Sequence, residues 1–139
     1  MSEPTGVQGI LIAHGAFAEG VLDAVKRITG VEDALSAVSN RDRGPDALAQ
    51  AILDELRDGP AILFTDLKSG SCGMTAHRLL RDRPSLRVIS GVNLPMLLEF
   101  AIHRGQPINA LIPRLLEKGR AAIGCTPDES VDADRPAAR

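Results

Sequence analysis

The chain has 139 residues, with 16 Lys+Arg against 18 Asp+Glu and a formal net charge of -2. That length predicts one domain with a sizeable core. The near-neutral balance excludes a nucleic-acid binder held by a basic field, and 2% aromatics with no Trp or Tyr exclude a stacking platform for single strands.

The first strand is predicted at Gln8–Ala13 (QGILIA), a short apolar run that ends at His14-Gly15. A helix follows over Phe17–Ile28. Its Phe17, Val21, Leu22, Val25 and Ile28 share one face, and Gly30 suits the C-cap. Ala34–Val38 is the second strand, and Asn40–Pro45 a polar turn. Asp46–Arg57 is helical, with Leu48, Ile52, Leu53 and Leu56 inward. Ala61–Thr65 (AILFT) is the third strand. Asp66–Gly73 (DLKSGSCG) is a Gly/Ser loop, and Met74–Arg81 a helix broken before Pro84. Leu86–Ser90 is the fourth strand. Asn93 as N-cap and Pro95 in the first turn open a helix over Leu94–Arg104. A last helix covers Asn109–Gly119, with Pro113 near its start or kinking it.

Strands that read as continuous apolar runs and alternate with helices predict an open, mainly parallel α/β sheet with helices on both faces. In the flavodoxin-like order 2-1-3-4, the first and third strands flank the point where strand order reverses. Residues 1–125 are read as one domain. Residues 126–139 (TPDESVDADRPAAR) are nearly free of large apolar side chains and are read as a disordered tail. The opening MSEPTGVQG shows no basic region followed by an apolar stretch, and no apolar run approaches the roughly 20 residues of a membrane helix. A cytoplasmic location is expected.

Sites in such sheets lie at the carboxyl ends of the strands. That rule places His14 and Asp66 across one small cleft. A carboxylate that accepts from one ring nitrogen fixes the imidazole tautomer, leaves the other nitrogen nucleophilic and stabilises the charge that grows on the ring. Backbone amides of Ser69-Gly70-Ser71-Cys72, before a helix, form an anion cradle. Each feature alone has a structural explanation: a strand-end His, a loop-capping Asp and a Gly/Ser turn are all common. Their coincidence at one switch point describes phosphoryl acceptance on histidine. His77 and His103, within helices, are expected on the solvated surface; Cys72, before a helix, reads either as a nucleophile activated by the helix N-terminus or, in preference, as a buried small residue. No paired His or Cys has metal-ligand spacing, so no metal is expected, and no cofactor either.

Three stretches carry a resemblance: GILIAHGAFAEGVLDAVKRITG (9–30), ILFTDLKSGSCGMTAHRLL (62–80) and VISGVNLPMLLEFAIHR (88–104). Over residues 8–125 the sequence resembles the mannose-type IIA component of the bacterial sugar phosphotransferase system. The resemblance implies a phosphotransferase, a homodimer and a C-terminal antiparallel edge strand exchanged between subunits. Ala121–Thr126 (AAIGCT) is the segment placed to supply that strand. It implies that His14 is phosphorylated and that Asp66 and Ser71 act with it; the helix-end argument adds Gly15, Ser69, Gly70 and Cys72 around the phosphate. The implied donor is the histidine-phosphorylated carrier HPr. The implied acceptor is a IIB component on a separate chain, with the membrane reached only through transporter subunits. The family loop reads Asp, two variable residues, then Gly-Gly-Ser-Pro, whereas here Ser69 replaces the first Gly and Cys72 the Pro. Two alternatives stay open: a regulatory phosphoprotein of the same system without sugar transport, and a flavodoxin-like binder of a small molecule.

Overall fold

A computed structural model describes residues 6–127. Strands β1 (Gln8–Ala13), β2 (Leu35–Ser39), β3 (Ala61–Thr65) and β4 (Arg87–Ser90) alternate with helices α1 (Phe17–Thr29), α2 (Pro45–Glu55), α3 (Gly70–Asp82) and α4 (Leu94–His103), and α5 (Ile108–Ala121) follows. The sheet order is β2-β1-β3-β4, with every pair parallel. Period-two alternation splits the strands between two faces. Leu11 and Ala13 of β1, with Ile62 and Phe64 of β3, pack with residues of α1, α4 and α5 on one face. Ile10, Ile12, Ala61 and Leu63 pack with α2 and α3 on the other. Both faces being covered explains why β1 and β3 read as unbroken apolar runs.

Packing is close near the sheet centre. Phe64 and Phe100 meet edge to face, with ring centroids 5.1 Å apart. A Cβ added at Gly9 would fall 2.5 Å from the Phe100 ring. Burial of each large side chain here contributes about 1.5–3 kcal/mol. Buried Gln8 donates to the Glu55 carbonyl at 2.6 Å and accepts from the Arg57 amide at 2.8 Å, tying β1 to the end of α2.

Three expectations are corrected. Phe17 and Ile28 are 42% and 60% exposed, because these end positions of α1 fall outside its packed stretch around Ala18 and Val25. The helix expected from Met74 begins four residues earlier, at Gly70. Cys72, Thr75, Ala76 and Leu79 bury one face of α3, and that packing overrides the poor helix propensity of a Gly/Ser stretch. His103 is half-buried rather than solvated, with Nε2 3.4 Å from buried Glu99 and 3.3 Å from Arg114. Helix α5 runs through Ala121, and the four strands of the described sheet lie within 8–90; the edge strand expected from Ala121–Thr126 concerns a second subunit. The tail expected at 126–139 falls almost wholly outside the described residues.

Candidate active site

The carboxyl ends of β1, β2 and β3 converge on one cleft. His14 follows β1, Asn40 follows β2 and Asp66 follows β3. Asp66 Oδ2 accepts from the His14 amide and lies against His14 Nδ1, both at 2.9 Å, while Oδ1 accepts from the Leu67 amide at 2.9 Å. Burial draws the Asp66 carboxyl upward, but the bonds from the His14 amide and ring and from Leu67 outweigh it and hold the group below the ordinary carboxylate value. Asp66 is therefore ionised at neutral pH and can only accept. The proton of a neutral His14 ring then sits on Nδ1, and Nε2 carries the lone pair.

Nε2 faces the start of α3. A Cβ built on Gly70 would lie 3.5 Å from His14 Nε2 and Cε1, so the bare Cα lets ring and helix end approach. Gly70 takes the left-handed backbone conformation, φ 82°, and Ser69 before it is extended at φ −106°. The serine that departs from the family loop pattern thus occupies a backbone conformation open to any residue. Ser69 makes no side-chain capping bond. Helix geometry leaves the amides of Ser69, Gly70, Ser71 and Cys72 without intrahelical acceptors, so four donors gather beside the imidazole. Ser71 accepts from Asn40 Nδ2 at 3.2 Å through its hydroxyl oxygen.

Gly15, expected around the phosphate, does not contribute its amide. Gly15 N–H donates to Asn40 Oδ1 at 3.2 Å, and its carbonyl accepts from the Ser39 hydroxyl at 2.8 Å. Asn40, read in the sequence as part of a polar turn, therefore bridges the β1 and α3 sides of the cleft. The signal that would have found it is the strand-end rule applied to β2, the other neighbour of β1. The same turn brings Arg41, whose Nη2 lies 3.8 Å from where a Gly15 Cβ would be. A guanidinium thus stands at the rim, although the Ser69–Cys72 segment carries none. Asn93 serves the fold: it caps α4 by accepting from the Met96 amide at 3.2 Å and donates to the Gly119 carbonyl at 2.8 Å. His77 is exposed, with Nδ1 2.7 Å from the Gly73 carbonyl of its own helix.

Cys72 is fully buried. Burial, reinforced by the negative charge of Asp66, pushes its thiol up to about 11. It is protonated at neutral pH and is not a nucleophile. Its Sγ, a His14 ring nitrogen and an Asp66 carboxylate oxygen nevertheless lie within 4.8 Å of one another. Spacing along the chain could not reveal that trio, because its members belong to three separate elements.

The family model described as PTS system fructose IIA component, EIIA-man, matches residues 9–118. The PTS system sorbose-specific EIIA component of Klebsiella pneumoniae is 31% identical over 96 residues, 67% of this chain and 71% of that protein. Among solved structures, the mannose/sorbose specific IIA subunit of phosphotransferase system from Enterococcus faecalis superposes with a TM-score of 0.75 at 27% identity. It covers 97% of this chain and 100% of its own. Phosphotransferase system component EIIA from Streptococcus agalactiae, with a TM-score of 0.80 at 22% identity over 86% of this chain and 96% of its own, shares the fold. Among the described residues no helix is long and apolar enough to cross a membrane.

Proposed function

This chain belongs to the EIIA-man family of phosphotransferase system components, and from that premise we propose that it is a phosphocarrier whose His14 takes a phosphoryl group from phosphorylated HPr and passes it to a IIB component on another chain. The observation that carries this reading is the Asp66–His14 pair with Nε2 turned to an uncapped helix N-terminus. The Nε2 lone pair attacks phosphorus. As the new P–N bond forms, the P–N bond to the donor imidazole breaks and its electron pair returns to that ring. His14 becomes cationic, and the Asp66 carboxylate stabilises the charge through Nδ1–H. The phosphoryl oxygens meet the amides of Ser69, Gly70, Ser71 and Cys72 and the Ser71 hydroxyl. Transfer onward to the acceptor reverses these steps.

Exposed apolar side chains near the cleft suit transient docking of a carrier protein. Phe17 lies three residues after His14, Leu67 directly follows Asp66, and Met74 lies in the second turn of α3; they are 42%, 54% and 70% exposed. For the flavodoxin-like alternative, Phe64 and Phe100 are fully buried, which leaves Phe17 as the one phenylalanine near the cleft and no Trp or Tyr to stack on a flavin ring.

The deciding experiment is incubation with phosphoenolpyruvate, enzyme I and HPr. One acid-labile phosphate per chain is expected, and none in His14→Ala. Label retained by His14→Ala, or mapped to His77 or His103, would reject the assignment.

The proposal includes a homodimer. Its support is the apolar surface of α4 and α5 around Pro95, Leu98, Ile102, Ala121 and Ala122, continued by Ile123, which is 77% exposed. Light scattering at micromolar concentration is expected to give twice the 14.7 kDa chain mass. A value equal to the single chain would remove the dimer from the proposal.

A further inference from the structure

We propose that His14, Asp66 and Cys72 form a binding site for a divalent cation of the zinc class. The phosphocarrier reading uses only the backbone amide of Cys72 and leaves its sulfur without a role. That sulfur shares a 4.8 Å neighbourhood with a ring nitrogen of His14 and a carboxylate oxygen of Asp66. In zinc sites the metal sits about 2.0–2.1 Å from nitrogen, about 2.0–2.2 Å from oxygen and about 2.3 Å from sulfur, so tetrahedral donors stand about 3–4 Å apart. Side-chain shifts of about 1 Å would close the set.

The donors are held from independent directions. Asp66 is fixed by the amides of His14 and Leu67, His14 is oriented by Asp66, and Cys72 is packed in the first turn of α3. The His14 side chain is 40% exposed, which provides an entry path and leaves a fourth position for water. A nitrogen, an oxygen and a sulfur suit Zn²⁺ or Co²⁺, whereas Mg²⁺ takes oxygen donors and keeps its waters.

The charge balance favours the same ions. Without a cation, the Asp66 carboxylate opposes a thiolate at Cys72. A dication ligated by His14 and Asp66 reverses that field, as metals do for coordinated thiols. On binding, the Cys72 S–H bond breaks, its electron pair forms the metal–sulfur bond and the proton passes to water; nothing is oxidised or reduced. The cation and the phosphoryl group then need the same imidazole, so each excludes the other. That last consequence rests on the phosphocarrier reading; the site itself does not.

The test is titration of the metal-free 139-residue chain with Co²⁺, read in absorption. A thiolate-to-cobalt charge-transfer band should saturate at one ion per chain and be displaced by Zn²⁺. The band should be lost in Cys72→Ser and in Cys72→Ala, lost or shifted to far higher cobalt concentration in His14→Gln, and unchanged in Cys125→Ser. No band in the wild-type chain, or a band that survives both Cys72 variants or disappears in Cys125→Ser, overturns the site. In a second measurement, phosphoramidate serves as a small phosphoryl donor. One equivalent of Zn²⁺ should suppress labelling of His14. Labelling at full rate in the zinc-loaded chain would overturn the mutual exclusion. Label that persists in His14→Ala would overturn the phosphocarrier reading, while the cobalt band still decides the metal site.

Discussion

Asp66→Asn is expected to slow phosphorylation of His14 by about 10- to 100-fold while the fold persists. The side-chain amide keeps the volume but only one acceptor oxygen, so of the His14 and Leu67 amides, which bond different carboxylate oxygens at 2.9 Å, one loses its acceptor. Also lost is the negative charge beside the ring as it becomes cationic. A hydrogen bond to a charged group contributes about 1.5–3 kcal/mol, and each 1.36 kcal/mol in the barrier is about tenfold in rate. Stopped mixing with HPr-phosphate measures the rate directly, and an unchanged rate would reduce Asp66 to a loop cap. The same variant reads out in stability. The folded-state pKa of Asp66 lies below its unfolded value. Its contribution is therefore fully present above the unfolded carboxylate pKa of about 3.9 and is lost as pH falls through the lower folded value. Urea midpoints of wild type and Asp66→Asn should differ most near neutrality and converge in that acid range.

Gly73→Ala is expected to be the most damaging methyl group that can be added near the site. A Cβ there would lie 2.2 Å from the Lys68 carbonyl oxygen, 2.6 Å from its carbon and 2.8 Å from the Leu67 carbonyl oxygen. These are backbone atoms and cannot swing aside as a side chain can. The 67–68 segment must move, and with it Asp66 and the start of α3. Overpacking typically costs about 1–3 kcal/mol, and a backbone clash belongs at or above the top of that range. At about 4 °C per kcal/mol for a domain of this size, Tm should fall by about 10 °C or more. Gly20→Ala is the control: Gly20 lies inside α1, with nothing within 4 Å of the added Cβ. It should gain about 0.5–1 kcal/mol from helix propensity. Similar melting temperatures for Gly73→Ala and wild type would contradict the close approach.

The strand pattern was open to reading in the sequence for a physical reason. A parallel sheet covered on both faces requires continuous apolar runs, and QGILIA and AILFT end where β1 and β3 end. His14 and Asp66, 52 residues apart, were found because the end of a strand beside a topological switch point is fixed by connectivity rather than by local composition. The start of α3 was not open to reading. Gly70 and Gly73 are poor helix formers, and only the burial of Cys72, Thr75, Ala76 and Leu79 against the sheet makes that stretch helical. Tertiary contacts alone decided that Asn40 takes the Gly15 amide and meets Ser71, and that Arg41 stands over Gly15. They also set a buried sulfur beside the His14–Asp66 pair. Each joins side chains from different strand ends, and no local period or spacing encodes the direction in which a loop returns over a neighbouring strand. The sequence by itself determined the sheet, the cleft and the pair of residues facing across it. The tertiary structure decided which amides remain free to meet an anion, because a donor's availability depends on every other partner within its reach.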